Sequence, residues 1–467
     1  MTNILLIDAN TTPFNEAYPV YPIGLDYCQG ALKRAGFDNT QILDLRQAGG
    51  NLSSFDQRQT KSLDIIIRKV QETSWDIIGI SIRNIDSTYP PDPTQLHLHY
   101  YLPQIKAYVD CIRAATSNRT HIILGGSGFS MMPDEILGYL DGSYYGVVGP
   151  AEVALPRLIA DLLGGKAGPR IYRAAPTEIG KLQNPALLEK YGDLPQSLGT
   201  VGLRTKIGCG EHCGYCPYPG ISGSNIILKD IAAVVDEVSF LTKAGFNSFM
   251  FADDMFNAST EHAKRILQAL LNNGPIPRSW HAYLSPRDID EELLELVVAT
   301  NGWSYYPDDL PQRVIIFPFD LDSGCDRILA RMDKSFATKD IRRAMAAFDK
   351  VKRRYEKRAD IHSIGAVFHL LLGYLGEDEE TVRESCQFIN ETLPDRLSLQ
   401  IGVRVYPHTP LARETKGLLW HKTEDLLEPA FVPFSKGEIK AWLLRYLSPR
   451  YHMVAEAGNM LQLMKQS

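Results

Sequence analysis

The chain has 467 residues, 44% of them hydrophobic and 22% charged, with a formal net charge of −6. It is too long for one ordinary core, which implies two or more domains, and its composition is that of a soluble globular protein. The negative balance argues against a nucleic-acid backbone as the main partner. The seven cysteines form no disulfide framework and fit a reducing cytoplasm.

Asn3-Ile-Leu-Leu-Ile-Asp8 reads as a first strand rather than a signal peptide. Tyr21-Pro22-Ile-Gly24-Leu25 opens a helical run that Gly36 stops, and 39–44 gives a second strand. Further strands are expected at 77–81, 122–124 and 145–149, separated by helices, with a last helix near 152–163. The fourth strand exits at Gly125-Gly126-Ser127-Gly128. Alternation of this kind, with glycine-rich exits, predicts an open parallel, Rossmann-like sheet whose ligands bind beyond the carboxyl ends of the strands. By themselves the glycines fit tight turns and the approach of a large planar cofactor equally well. The domain is expected over 1–165, with a proline- and glycine-containing linker over 166–198.

A strand at 200–207 then runs into Cys209-Gly-Glu-His-Cys213-Gly-Tyr215-Cys216, the pattern C-x3-C-x2-C. Thiolates are soft ligands, and cysteines this close surround one metal centre only if the chain curls, which Gly210 and Gly214 ease. Structural zinc usually takes four ligands in two separated pairs, and here a fourth cysteine is missing. Three readings stand at this point: chance clustering of three of the seven cysteines, zinc completed by His212 or a distant histidine, and a four-iron, four-sulfur cluster with one open iron.

Five more strand–helix steps follow, with strands near 248–252, 279–284, 314–319, 364–371 and 401–406. Six steps predict an incomplete parallel barrel over 199–415, with chemistry at its carboxyl-terminal rim. Asp253 and Asp254 end the second strand, where adjacent carboxylates bind magnesium, cap a helix or accept from an ammonium group. The aromatic stretch 301–311 reads as a surface loop or as part of an interface. No apolar run near the barrel is long enough to cross a bilayer, and 416–467 is expected to be a small helical region.

With Tyr215 before the third cysteine, the motif resembles that of the radical S-adenosylmethionine superfamily. The resemblance implies a [4Fe-4S] cluster on Cys209, Cys213 and Cys216 whose open iron is chelated by S-adenosylmethionine. The first domain resembles the cobalamin-binding domain of one branch. Its landmarks are Tyr21-Pro22-x-Gly24-Leu25, Ser81-x-Arg83-Asn84-x-Asp86, the Gly125, Gly126, Ser127, Gly128 turn, and Gly149-Pro-Ala-Glu152. Asp44-Leu-Arg46-Gln-Ala-Gly49 has the spacing of the lower-ligand motif D-x-H-x-x-G, with Arg46 in the histidine position. A guanidinium is a poor metal donor, so the resemblance implies cobalt without a protein ligand on its lower face.

By the same resemblance, Asp253 and Asp254 contact the amino group of S-adenosylmethionine, and Asp322 and Ser323 help hold its ribose. His369, Gly376-Glu377 and Arg404-Val-Tyr406 match motifs of the fifth and sixth strands. The implied activity is methyl transfer to an unactivated carbon, less often phosphorus, of a small metabolite or peptide. A 5'-deoxyadenosyl radical takes hydrogen, and electrons come from a partner such as flavodoxin or ferredoxin. Alternatives are radical cyclisation, ring contraction or rearrangement, non-radical cobalamin-dependent methyl transfer, and a non-enzymatic metal- or cobalamin-binding module.

Overall fold

The computed structural model describes residues 2–9, 20–45, 55–86, 100–166, 168–173, 179–192, 201–418, 427–457 and 459–466. Arg46 lies outside the described residues.

The first domain is a six-stranded, wholly parallel sheet of β1 (Ile4–Asp8), β2 (Thr40–Asp44), β3 (Ile77–Ser81), β4 (His121–Gly125), β5 (Tyr145–Val148) and β6 (Ile171–Arg173). Its order is β2-β1-β3-β4-β5-β6. Apolar side chains on both strand faces explain why helices cover both sides. Leu5, Ile7, Ile78 and Ile80 pack in one core with the helix Leu102–Ala115, and Ile4, Leu6 and Ile77 in another with the helices Ile23–Arg34 and Ala151–Leu163. Strand order reverses about β1, so a crevice opens between the carboxyl ends of β1 and β3. The register places Asp8 beside Ser81, and Ser81 beside Gly125, along that edge. β6 falls within the stretch expected as linker; three residues carry too little periodicity to reveal a strand.

The second domain begins with β7 (Gly202–Leu203), β8 (Lys206–Ile207) and β9 (Ile227–Leu228), followed by β10 (Ser248–Phe251) and β11 (Ser279–His281). β8 and β9 pair antiparallel at the base of the cysteine loop, while β7, β10 and β11 form a parallel sheet. A second sheet contains β12 (Ser304–Tyr305), β13 (Arg313–Asp322), β14 (Ile361–Leu372) and β15 (Arg396–Ile401). A parallel bridge between Trp280 and Gly302 links the two sheets. Among the described residues no pairing joins β7 to β15, so the arrangement is an open one. Along β13 every second residue is buried against the helices, and the alternate ones face the lumen. Aspartates at 230, 290 and 378 cap the helices that follow them, each accepting a backbone N–H two to three residues into the first turn.

Two stretches differ from expectation. Trp303, in the aromatic segment, is buried against Trp280 at 5.0 Å and Phe317 at 5.9 Å, so this stretch is core and not only surface loop. The C-terminal region has the helix Lys436–Tyr446 but ends in a hairpin, β18 (Tyr451–Ala457) and β19 (Met460–Lys465), beyond the short pair β16 (Arg404–Val405) and β17 (Ala430–Phe431). β19 extends the second sheet antiparallel to β15, and Leu461 and Leu463 alternate into the core. Among the described residues no helix is long and apolar enough to cross a membrane.

The domains meet through polar links that need each other. Arg404 donates to Asp86 at 2.9 and 3.2 Å, both side chains being almost wholly buried. Tyr406, two residues on, packs into a core of the first domain. Lys229 and Glu237 form a buried ion pair beside Tyr27, whose hydroxyl donates to Glu237 at 3.3 Å.

Candidate functional site

A cavity of about 660 Å³ lies between the carboxyl edge of the first sheet and the rim of the open barrel. Its walls include Asp8, Ser81 and Gly125 on one side and Cys209, Cys213 and Cys216 on the other.

The cysteine loop is held by backbone bonds: Cys209 N–H to Gly223 O at 3.1 Å, Gly214 N–H to Met332 O at 2.8 Å, and Leu411 N–H to Gly214 O at 2.9 Å. The sharp turn falls at Gly208, whose φ of +88° favours glycine, and an added Cβ would lie 2.1 Å from Asn225 O. Gly210, expected to ease the curl, has no positive φ, and Gly214 is required for space, since a Cβ there would meet Tyr374 Oη at 2.9 Å. Burial raises all three thiols, that of Cys216 to about 12. Among the described residues no three His, Cys, Asp or Glu side chains converge on one ion position. Three soft donors on one cavity wall are a donor set suited to a metal–sulfur cluster, in which separate cysteines hold separate irons.

Beside the loop stands Lys334. Its ammonium pairs with Asp322 and donates to Tyr215 Oη at 3.1 Å and to Cys213 Sγ at 3.4 Å. Burial works against this charge, but Asp322, Tyr215 and Cys213 together outweigh it and hold the lysine well above its ordinary pKa. Tyr215 Oη also donates to Asp322 at 2.5 Å. Asp322 has a left-handed backbone, φ +63°, uncommon outside glycine. Its carboxylate lines the cavity yet is engaged by Lys334 and Tyr215. Ser323 is fully buried, lies near Ser385 Oγ at 3.3 Å and accepts from Cys325 N–H, so the structure places it in the packing and not in the cavity wall.

The adjacent aspartates have different surroundings. Asp253 accepts from Thr205 N–H at 2.8 Å, Lys206 N–H at 3.1 Å and Thr205 Oγ1 at 2.6 Å, tying β10 to the start of the cysteine loop. Burial raises its carboxyl against these donors. Asp254 lines the cavity and accepts one bond from Ser222 Oγ at 2.7 Å.

On the opposite wall stand Ser81, Arg83, Gly125, Gly126, Ser127, Gly149 and Glu152. Gly126 has φ +94°, and a Cβ there would fall 2.4 Å from Ile82 O. Gly128 donates to Ile82 O at 2.9 Å and packs against the backbone of Arg83 and Asn84; neither Gly128 nor Asn84 is part of the wall. Ser127 Oγ donates to Arg83 O at 2.8 Å. Gly149, φ +81°, lets the domains close up, since a Cβ would be 2.7 Å from Ile221 O. Glu152 is buried and faces Arg204 across the domain boundary at 3.8 Å.

Residues 15–159 match the family model of the B12 binding domain. Tryptophan 2-C-methyltransferase of Streptomyces laurentii is 26% identical over 353 residues, 60% of this chain and 56% of that protein. The chain therefore spans little more than half the length of that curated relative. The radical S-adenosylmethionine methyltransferase TsrM of Kitasatospora setae, solved with tryptophan substrate and an S-adenosylmethionine analogue, superposes with TM-score 0.69 at 22% identity, over 100% of this chain and 86% of that one. The cobalamin-dependent S-adenosylmethionine radical enzyme OxsB, with aqua-cobalamin bound, gives TM-score 0.68 at 14% identity, over 96% and 70% of the two chains.

Residues 15–159 thus match a B12 binding domain, and the chain as a whole shares the fold of these solved enzymes.

Sequence reasoning missed Lys334, Arg204 and Lys206. Lys206 Nζ donates to Gly208 O at 2.7 Å, steadying the turn into the cysteines. Arg204 and Lys206 lie within the strand expected at 200–207, just before Cys209, and that placement was the available signal. Lys334 is over 100 residues from Cys213, and no local pattern announces it.

Proposed function

We propose that the protein is a cobalamin-dependent radical S-adenosylmethionine methyltransferase acting on a small metabolite or peptide. The observation that carries this reading is the single cavity walled by three thiols on one side and the carboxyl edge of the B12-binding domain on the other. When bound, the cluster, S-adenosylmethionine and cobalamin supply one-electron and methyl-transfer chemistry.

The chain's own residues position the reactants. Cys209, Cys213 and Cys216 hold the cluster, and Asp254 accepts from the amino group of S-adenosylmethionine while Asp253 fixes the loop beside it. Asp322 acts through Tyr215 and Lys334, and Ser81, Arg83, the 125–127 turn, Gly149 and Glu152 hold the cobalamin edge. Arg46 occupies the histidine position of the lower-ligand motif in sequence, and a guanidinium there would be a poor donor to cobalt. Closing the cavity between two domains excludes water and brings the partners together. The acceptor is a carbon centre in this reading, and tryptophan, named for the relatives, guides the first choice of candidates.

An anaerobic assay with reductant, cobalamin, methyl-labelled S-adenosylmethionine and candidate metabolites tests the reading. Label is expected in the product, with S-adenosylhomocysteine formed alongside. A rearranged skeleton without added methyl would select the rearrangement chemistry instead.

A further inference from the structure

On β13 and β14 the lumen-facing positions alternate with those packed against helices, and Asp320 falls on the lumen side, in register with His369 of the neighbouring strand. Asp320 is part of the cavity wall. The backbone N–H of Leu284 donates to its carboxylate, but Oδ2 is shut off from solvent and takes no hydrogen bond among the described residues. Lys334, the nearest lysine acting on it, is already committed to Asp322, Tyr215 and Cys213.

Burial pushes the Asp320 carboxyl up; His369 and Lys334 oppose this, and the nearby Asp322 adds to it. A buried carboxylate oxygen without a donor is costly, and natural interiors seldom leave one. Among the described residues nothing donates to it, so the position suits a donor that enters the cavity. A neutral hydroxyl would satisfy the hydrogen bond only; a cationic nitrogen would also offset the charge of Asp320, that of Asp322 being met by Lys334. Tyr283 lines the same cavity, as does Phe336, whose ring already carries the Lys334 ammonium at 5.6 Å. The amino group of S-adenosylmethionine has its own acceptor in Asp254, on another strand.

We propose that Asp320 is the recognition carboxylate of the acceptor-substrate site, and that the substrate carries a positively charged nitrogen, a protonated amine, bound at Oδ2. This rests on the methyltransferase reading and adds to it the chemical class of the substrate.

Isothermal titration of the cobalamin-loaded, cluster-containing protein with matched probes tests it: tryptamine against tryptophol, tyramine against tyrosol, and cadaverine against 1,5-pentanediol. At least one amine is expected to bind about ten-fold or more tightly than its alcohol, as an added charge-assisted bond implies. Asp320→Asn, which keeps the shape and removes the charge, is expected to abolish that preference. Iron content, cobalamin content and S-adenosylmethionine affinity should stay at wild-type values. Asp320→Ser serves the same comparison if the asparagine variant does not fold. Absence of amine preference in every pair, or its survival in both variants, overturns the proposal. A parallel loss of S-adenosylmethionine affinity also overturns it, by assigning the carboxylate to the cosubstrate. A wild-type protein that binds neither cobalamin nor S-adenosylmethionine refutes the methyltransferase reading instead, before any amine is added.

Discussion

Asp253 and Asp254 are adjacent in sequence but face different demands. Both line the cavity, but three donors from inside the protein converge on Asp253, whereas Asp254 receives one serine hydroxyl. Asp253→Ala is therefore expected to cost about 3 kcal/mol of stability, because buried donors lose their acceptor. Asp254→Ala should change stability by under about 1 kcal/mol while weakening S-adenosylmethionine binding roughly ten-fold. Denaturant melts and direct titration separate the two; equal stability losses would contradict the assignment. Glu377 offers a pH test. Burial raises its carboxyl from 4.5 to about 7, although the N–H groups of Gly373 and Tyr374 pull the other way. The folded protein thus holds this proton more firmly than the unfolded chain. The resulting stability is present in full below about pH 4.5 and is lost as pH rises through about 7. Glu377→Gln should flatten the stability profile over that window, as read from denaturation midpoints; an unchanged slope would contradict it.

At the level of elements, the contacts that close the cavity come from strand ends and the loops after them. Asp86 follows β3 and Arg404 begins β16, and their buried pair pins the first domain to the end of the barrel. Removing one partner strands the other charge in the interior. Arg404→Met is expected to destabilise by about 3–5 kcal/mol, and Asp86→Asn together with Arg404→Met by clearly less than the sum of the single changes. A double-mutant cycle by urea denaturation measures this, and additive losses would show that the pair is not coupled. The short strands β7, β8 and β9 matter for the same reason. They bury few side chains, yet the bonds from Asp253 and Lys206 fix the geometry of the cysteine loop through them.

At the scale of the whole molecule, the two walls of the cavity belong to different domains. Cysteine-to-alanine changes at 209, 213 or 216 should therefore abolish iron binding while leaving cobalamin content near wild type. Iron, sulfide and cobalt analysis of anaerobically prepared protein checks this. Parallel loss of cobalamin would mean that the cysteine loop also supports the first domain.

The parallel sheet of the first domain, the strand–helix alternation of the second and the cysteine motif were legible in the sequence; the split of the second domain into separate sheets with antiparallel pairs was not. Apolar strands, helical periodicity and a spacing of three thiols within eight residues are local properties. The short strand β6, the C-terminal hairpin and the burial of Trp303 were not, because each depends on a distant neighbour to pair or pack against. The same limit governed the site. Sequence brought forward Asp253, Asp254 and Asp322 as equals, but only the folded chain decided that Asp253 is consumed internally, that Asp322 meets Lys334 and Tyr215, and that Ser323 lies outside the cavity. Side-chain chemistry is set by residue type, so the sequence determined which groups are available; their free energy depends on burial and on partners contributed from far along the chain, which tertiary structure alone supplies.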